Sequence, residues 1–326
     1  MRLSLVVPCY NEVDVIVRFH EALSKELTAT EHPYEILYVD DGSDDGTLDT
    51  LVELAGTDKA VRYLSFSRNF GKESAMLAGL RYATGDAVVI MDADLQHPPE
   101  LIGRMLEQYE RGFDQVIARR TRTGDPATRT LFARAYYWLI NRWADVELTD
   151  GVGDFRLLSR RAVSGLLELN EYNRFSKGLF AWIGFESILF EYENVKQPSD
   201  RKSRWTFRRL LEYGFDGLLS FNNKPLRLAI YVGLLLTAVA AGYAVWVIAV
   251  AILQGVAMPG YVTLIAAIVG LGGLQMVMLG LIGEYIGRIY YETKRRPHYL
   301  LKQSNMDPID RLDSKPAPDG RATRGR

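Results

Sequence analysis

The chain has 326 residues, 48% of them hydrophobic and 24% charged, with 39 Lys+Arg against 40 Asp+Glu and one cysteine. A net charge of −1 excludes a broadly basic nucleic-acid binder, and a lone Cys9, set in the apolar run Leu-Val-Val-Pro-Cys-Tyr, excludes an intramolecular disulfide and reads as a small buried hydrophobe. Charge is unevenly placed: Leu228 to Gly283 holds no Asp, Glu, Lys or Arg, whereas residues 118 to 142 carry six Arg against one Asp and residues 196 to 227 carry eight Lys/Arg against three acids.

In chain order, the apolar run within Met1 to Pro8 is too short for a signal peptide and lacks a cleavage site, so it reads as a first strand, Leu3 to Val7. Strand-like runs follow at Glu35 to Val39, Val61 to Ser65, Ala87 to Met91 and Gln115 to Ala118. Helical patterns lie between them at Val13 to Thr28, Thr47 to Ala55, Glu73 to Ala83 and Pro99 to Glu110, the last opened by Pro-Pro-Glu. This alternation predicts βαβ units in a parallel sheet with helices on both faces, residues 1 to 196 forming one soluble body. Ligands of such sheets bind at the carboxyl ends of the strands, where Asp40, Asp41, Asp92 and Asp94 fall.

After Arg119 an Arg-rich helix, Ala127 to Trp143, and a Gly-Asp-Phe-Arg segment at 153 to 156 follow. Residues 206 to 221 mix Phe and Leu with Arg in an amphipathic pattern, which fits an interfacial helix on anionic headgroups; packing against the soluble body is the alternative. The uncharged run breaks at 254 to 261 and leaves two spans, about 226 to 253 and 262 to 285, each long enough for a hydrocarbon core of about 30 Å. Lys224 and Arg227 precede the pair and Arg288, Lys294, Arg295 and Arg296 follow it, so the positive-inside rule puts the soluble domain and both termini in the cytoplasm. Gly270, Gly272, Gly273, Gly280, Gly283 and Gly287 crowd the second span, for contacts between copies or within the hairpin. The segment 197 to 225 is then an acceptor loop plus juxtamembrane helix, and 288 to 326 a basic tail, largely disordered from Lys302 onward.

Chemistry concentrates at the strand ends. Asp92-Ala-Asp94 can present two carboxylates to a hard divalent cation, Mg²⁺ or Mn²⁺, which takes oxygen ligands and shares them with substrate phosphates. Asn11, Asp41 and Ser43 read either as part of a nucleotide pocket or as caps and turns.

Taken together, Val-Pro-x-Tyr-Asn-Glu (7 to 12), Asp-Asp-Gly-Ser (40 to 43), Arg-Asn-Phe-Gly-Lys-Glu (68 to 73), Asp-Ala-Asp-Leu-Gln-His-Pro (92 to 98), Val-Gly-Asp-Phe-Arg-Leu (152 to 157) and Gly-Glu-Tyr-Ile-Gly-Arg-Ile-Tyr (283 to 290) resemble the polyprenyl-phosphate glycosyltransferases of family 2. The likeness is to the bactoprenol glucosyltransferases of O-antigen modification, with dolichyl-phosphate mannose synthases as relatives, and it covers residues 1 to about 300. It implies an α/β GT-A (Rossmann-like) domain with a mostly parallel sheet, plus interfacial helices and a two-helix transmembrane hairpin. It further implies a homo-oligomer, tetrameric by resemblance, in the bacterial inner membrane, with a nucleotide-sugar donor, a polyprenyl phosphate acceptor and the bilayer as partners.

On residues, the resemblance assigns Asp92 and Asp94, with Gln96 beside them, to metal and diphosphate. Pro8, Tyr10, Glu12, Asp40 and Asp41 fall to the nucleotide pocket, Lys72 to donor contact, and Asp154, next to Arg156, to the reacting centre, so that Asp94 and Asp154 are the catalytic candidates. An acceptor phosphate needs cations, and Arg119, Arg120, Arg129, Arg134, Lys202 and Arg204 are the candidates, with solvated or membrane-surface charge as the alternative. In the loop before the hairpin, Arg204 stands where relatives carry Lys, which changes the contact geometry. The implied reaction is inverting transfer of one sugar, glucose from UDP-glucose, to undecaprenyl phosphate at the cytoplasmic face. GDP-mannose or UDP-formamido-arabinose as donor, or an inactive nucleotide-binding scaffold, are the alternatives.

Overall fold

Short apolar runs bounded by turn residues become strands, as expected where both faces of a parallel sheet are covered. In a computed structural model that describes residues 1–121, 141–142, 149, 151–192, 224–254 and 260–307, the strands are β1 (Leu3–Cys9), β2 (Tyr34–Asp40), β3 (Val61–Phe66), β4 (Ala87–Ile90), β5 (Gln115–Arg120), β6 (Val152–Ser159), β7 (Ser187–Tyr192) and β8 (Leu301–Ser304). They form one sheet in the order β7-β5-β6-β4-β1-β2-β3-β8. β1 pairs in parallel with both β2 and β4, β2 with β3, and β5 with β7. The antiparallel pairs are β4 with β6, β5 with β6, and β3 with β8.

Helices α1 (Val13–Ala29), α2 (Thr47–Thr57), α3 (Lys72–Tyr82), α4 (Leu101–Glu110), α5 (Arg160–Glu168) and α6 (Ser176–Trp182) cover the sheet. One core joins α1, α2 and α4 to the sheet through Ile16, Phe19, Leu23, Leu51, Ile102 and Met105. On the opposite face Met76 and Leu80 of α3 meet Ala162 and Val163 of α5 and Leu179 and Phe180 of α6. Cys9 is buried, as its apolar setting requires, and burial pushes its thiol pKa well above the ordinary value.

Two long helices follow, α7 (Lys224–Gln254) and α8 (Tyr261–Lys294), of 31 and 34 residues, or roughly 46 and 51 Å. Among the described residues no helix is long and apolar enough to cross a membrane; the uncharged run 228 to 283 includes positions outside that description. α8 continues nine residues past the expected end of the second span, to Lys294. A side chain added at Gly270, Gly272, Gly273, Gly280, Gly283 or Gly287 would meet nothing within 4 Å among the described residues.

The start of the tail is ordered, contrary to the disorder its composition suggested. β8 pairs with β3, the side chain of Asn305 accepts from the Tyr63 amide at 2.8 Å and donates to the Val61 carbonyl at 3.2 Å, and Gln303 donates to the Tyr63 hydroxyl at 2.8 Å. Main-chain pairing and three side-chain bonds supply what the few apolar residues of this segment do not. The Arg-rich helix at 127 to 143, apart from helical Asn141 and Arg142, the loop at 197 to 205 and the amphipathic segment at 206 to 221 lie outside the described residues.

Candidate functional site

The site is set by sheet register. β4 and β6 run antiparallel with Ile90 opposite Arg156. Continuing that register by two residues brings Asp92, just past β4, level with Asp154 on β6. Between them stands Lys72, the first residue of α3. Its ammonium donates to Asp92 at 2.6 and 2.9 Å and to Asp154 at 2.7 Å. Segments 20 and 82 residues from Lys72 thus meet in one carboxylate, ammonium, carboxylate bridge.

Charge in the bridge is fixed by these contacts. Burial alone would lower the Lys72 pKa, but Asp154 and then Asp92 outweigh it and hold it above its ordinary value. Burial would raise Asp154, yet Lys72, with Lys177 and Arg156 behind it, brings it down to about 2. Arg156 is buried, lies 3.7 Å over the Phe180 ring and donates to the Gly153 carbonyl at 2.8 Å. Burial lowers its pKa to about 10, so it remains a cation at neutral pH.

The loop 92 to 98 is held in an unusual conformation. Leu95 has φ of +57°, a left-handed backbone that a branched side chain rarely adopts, and the Asp94 carboxylate accepts from the Gln96 amide at 3.0 Å. His97 stacks on Phe155 with ring centroids 4.9 Å apart, and its Nδ1 is buried without a described hydrogen-bond partner. Burial lowers the His97 pKa, while Asp92 and Asp94 oppose that shift.

Around the same edge, Pro8 lies in β1, Tyr10 is exposed just past it, and the Glu12 amide donates to Thr47 Oγ1 at 2.9 Å. Asp40 and Asp41 are buried and bonded within the fold. Asp40 accepts from the Ser43 amide at 3.1 Å and from the Ser65 hydroxyl at 2.7 Å. Asp41 accepts from the amides of Phe70 at 2.7 Å and Gly71 at 2.9 Å, tying the β2 loop to the loop that delivers Lys72. Burial raises the Asp41 pKa and those two amide bonds oppose it. The Asp41 contacts join two loops and are neither the local turn nor the helix cap of the alternative reading.

Of the acceptor candidates, Arg119 has a described side chain, and its described partner is not part of the bridge. Arg119 pairs with Glu191 at 3.6 Å on a solvated stretch of β5. Arg120 is in β5 with its side chain outside the description, and Arg129, Arg134, Lys202 and Arg204 lie outside the described residues. Four residues that sequence reasoning missed do stand near the bridge. Glu73 accepts from the Ser176 amide at 3.1 Å and from its hydroxyl, which fixes the start of α6 beside α3. Lys177 and Arg174 flank Ser176; burial lowers the pKa of each, Asp154 opposing it most at Lys177 and Glu73 most at Arg174. The cluster Asn-Arg-Phe-Ser-Lys-Gly at 173 to 178 was the available signal, two basic residues beside a short apolar helix.

The donor set fits a hard divalent cation only in part. Among the described residues no group of three or more His, Cys, Asp or Glu is arranged for a metal. Asp92 and Asp94 supply oxygens, and a neighbouring ammonium already seated on Asp92 marks the place as one that attracts positive charge. Such a pair suits an ion whose remaining ligands come from a substrate diphosphate and water.

Comparison with known proteins covers both parts of the chain. The family described as glycosyl transferase family 2 matches residues 4–167, and the GtrB C-terminal hairpin matches residues 224–289. CsbB of Bacillus subtilis (strain 168), which carries a provisional glycosyltransferase name, is 51% identical over 93% of this chain and 92% of its own. A prophage bactoprenol glucosyl transferase homolog of Escherichia coli (strain K12) is 39% identical over 93% of this chain and 99% of its own. Among solved structures, the mannosyltransferase PcManGT of Pyrobaculum calidifontis, in complex with GDP-Man and Mn²⁺, covers 89% of this chain and 87% of its own at 19% identity and a TM-score of 0.46, too distant to bear on donor or cation. With a GT-A-like α/β sheet, a charged bridge at its carboxyl edge and full-length relatives of one kind, the chain belongs to glycosyltransferase family 2 and is a glycosyltransferase.

Proposed function

We propose that this enzyme transfers a single sugar, glucose, from UDP-glucose to undecaprenyl phosphate with inversion, at the cytoplasmic face of the bacterial inner membrane. The observation that carries the reading is the Asp92, Lys72, Asp154 bridge on the ligand-binding edge of a family 2 sheet, in a chain that also holds the GtrB hairpin. Relatives named bactoprenol glucosyl transferase span the same two parts at 38 to 39% identity.

In the proposed reaction an oxygen of the acceptor phosphate forms a bond to the anomeric carbon while the bond to the UDP oxygen breaks, UDP taking the electron pair. Asp92 and Asp94, with Gln96 adjacent, would hold a divalent cation, Mg²⁺ or Mn²⁺, which would supply charge neutralisation for the diphosphate. A phosphate monoester is already ionised near neutral pH, so no strong base is needed. Asp154 suits that: a carboxylate held near 2 by an ammonium is far from the pKa of a general base working at pH 7. Its role is to orient Lys72, whose ammonium faces the donor phosphates. Pro8, Tyr10, Glu12, Asp40 and Asp41 frame the nucleotide side of the same edge, and Arg119, Arg120, Arg129, Arg134, Lys202 and Arg204 belong to the acceptor side.

The hairpin α7 and α8 spans the bilayer, with the turn near Ala257 on the far side. The uncharged run of the sequence and large exposed side chains such as Leu234, Trp246, Leu253 and Met276 support this. Among the described residues nothing lies within 4 Å of a side chain added at the glycines of α8, which supports room for a second copy, in keeping with a homo-oligomer.

The test is a panel of UDP-glucose, GDP-mannose and UDP-formamido-arabinose with undecaprenyl phosphate, and NMR of the lipid product. A β-linked glucosyl product from UDP-glucose is expected; a retained α-linkage, or transfer only from another donor, contradicts the proposal.

A further inference from the structure

Two loops flank the bridge, and both rest on one stretch of chain, the end of α8 and the strand that follows. The first loop, 67 to 72, delivers Lys72. Tyr299 stacks on Phe66 at 4.9 Å with planes 11° apart, Phe66 meets Phe70 edge-on at 5.8 Å, and the Ser67 amide donates to the Leu300 carbonyl at 2.9 Å. Arg68 lies 4.1 Å over the Phe70 ring. Phe70 and Gly71 then bond Asp41, and the next residue is Lys72. A continuous set of packed groups thus runs from Tyr299 to the bridge.

The second loop, 170 to 177, delivers Ser176 and Lys177. Tyr172 stacks on Tyr291 at 5.4 Å and on His298 at 5.9 Å, and its amide donates to the Glu292 carboxylate at 2.7 Å. Four residues later Ser176 bonds Glu73, the neighbour of Lys72. Arg295 between the two contact points has φ of +45°, which turns the chain from the helix toward β3.

We propose that residues 290 to 305 form a positioning strap: by holding both loops they set Lys72 and the start of α6 for the donor, tying the seat of the hairpin to the reacting centre. This deepens the reading of the Lys72 loop as part of the donor site and rests on it. Tyr299 and Tyr172 are positioning residues, acting through Phe66 and Phe70 and through the Ser176 and Glu73 contact. β8 is an edge strand with exposed residues, so its pairing gives little core; its value lies in where it holds the end of β3.

The test uses the full chain in bilayer nanodiscs, with UDP and Mn²⁺ as the binding probe by calorimetry and labelled transfer for KM and kcat. Tyr299→Ala is expected to weaken UDP binding and raise the donor KM by about 10-fold, with the acceptor KM within about twofold. Tyr299→Phe keeps the ring and is expected to bind UDP as the parent does, while hydrogen exchange at the Phe70 and Gly71 amides speeds up only in the alanine variant. Unchanged UDP affinity in Tyr299→Ala, or equal loss in Tyr299→Phe, overturns the strap. Should Tyr299→Ala not fold, Tyr172→Ala carries the same expectation through the second loop, and normal donor binding there overturns the proposal. Asp94→Ala separates the two levels: if it transfers normally the site reading fails, whereas a dead Asp94→Ala beside a normal Tyr299→Ala fails the strap alone.

Discussion

Replacing Asp154 by Asn keeps the side chain's size and removes its charge, so it separates a base from an orienting carboxylate. Lys72 makes close contacts to both Asp92 oxygens and to Asp154. Losing the charge from one charge-assisted bond costs roughly 1.5 to 3 kcal/mol, which as transition-state stabilisation is about 10- to 150-fold in kcat. The fold should feel it too. The Asp154 carboxyl lies at about 2 against an ordinary 3.8, a shift worth roughly 2 kcal/mol. A depressed acid stabilises the fold above its unfolded pKa and loses that contribution as pH falls toward 2. At pH 7 the variant should therefore be less stable by about 2 kcal/mol, or roughly 4 to 8 °C in thermal midpoint, and the gap should close at the acid end. The deciding assay is the pH profile of kcat/KM between pH 5.5 and 8.5. If Asp154 orients, Asp154→Asn lowers the profile without changing its shape, because the acid limb belongs to the acceptor phosphate. Loss of the acid limb in the variant would refute the reasoning.

Gly42, at φ of +69°, sits where an added methyl group would run into the Arg68 main chain. Gly42→Ala should cost roughly 2 to 4 kcal/mol by denaturant unfolding, and a cost under about 0.5 kcal/mol would show that the two loops are not in contact. Burial raises the Glu73 pKa from 4.5 to about 7, with Ser176 opposing. A raised acid stabilises the fold while protonated, so the chain should lose at most about 3 kcal/mol as pH rises from 4.5 through 7. In Glu73→Gln that decline should vanish from thermal midpoints taken across the window, and parallel curves would contradict the assignment. A cysteine placed at Ala257 should react with an impermeant maleimide only from the non-cytoplasmic side, against a silent background because Cys9 is buried; reaction from the cytoplasm would refute the hairpin's orientation.

Much of the sheet was legible because strands covered on both faces must be apolar throughout. β1, β2, β3 and β5 extend one or two residues past the predicted runs, and β4 stops one short, at Ile90. β8 was not legible, since Leu-Lys-Gln-Ser at an edge needs no apolar pattern, only a partner's main chain. Within the site, motif content pointed to Lys72, Asp92 and Asp154 separately, but their meeting depends on the antiparallel register of β4 against β6, which spacing along the chain does not encode. Lys177 and Glu73 were missed because their relevance comes from a contact between α3 and α6, each ordinary alone. Asp41 was named for the nucleotide pocket, while its carboxylate is engaged by Phe70 and Gly71; a buried acid at a strand end serves the loops beside it as readily as a ligand.

The central claim is transfer of sugar to a lipid phosphate by this chain's own carboxylates. Its most direct test is purified full-length protein with radiolabelled UDP-glucose, undecaprenyl phosphate and Mn²⁺, counting label in the organic phase for the parent and for Asp94→Ala. The account predicts lipid-phase label from the parent and none above background from Asp94→Ala. Label that stays aqueous with the parent, or equal lipid label from both, would contradict it.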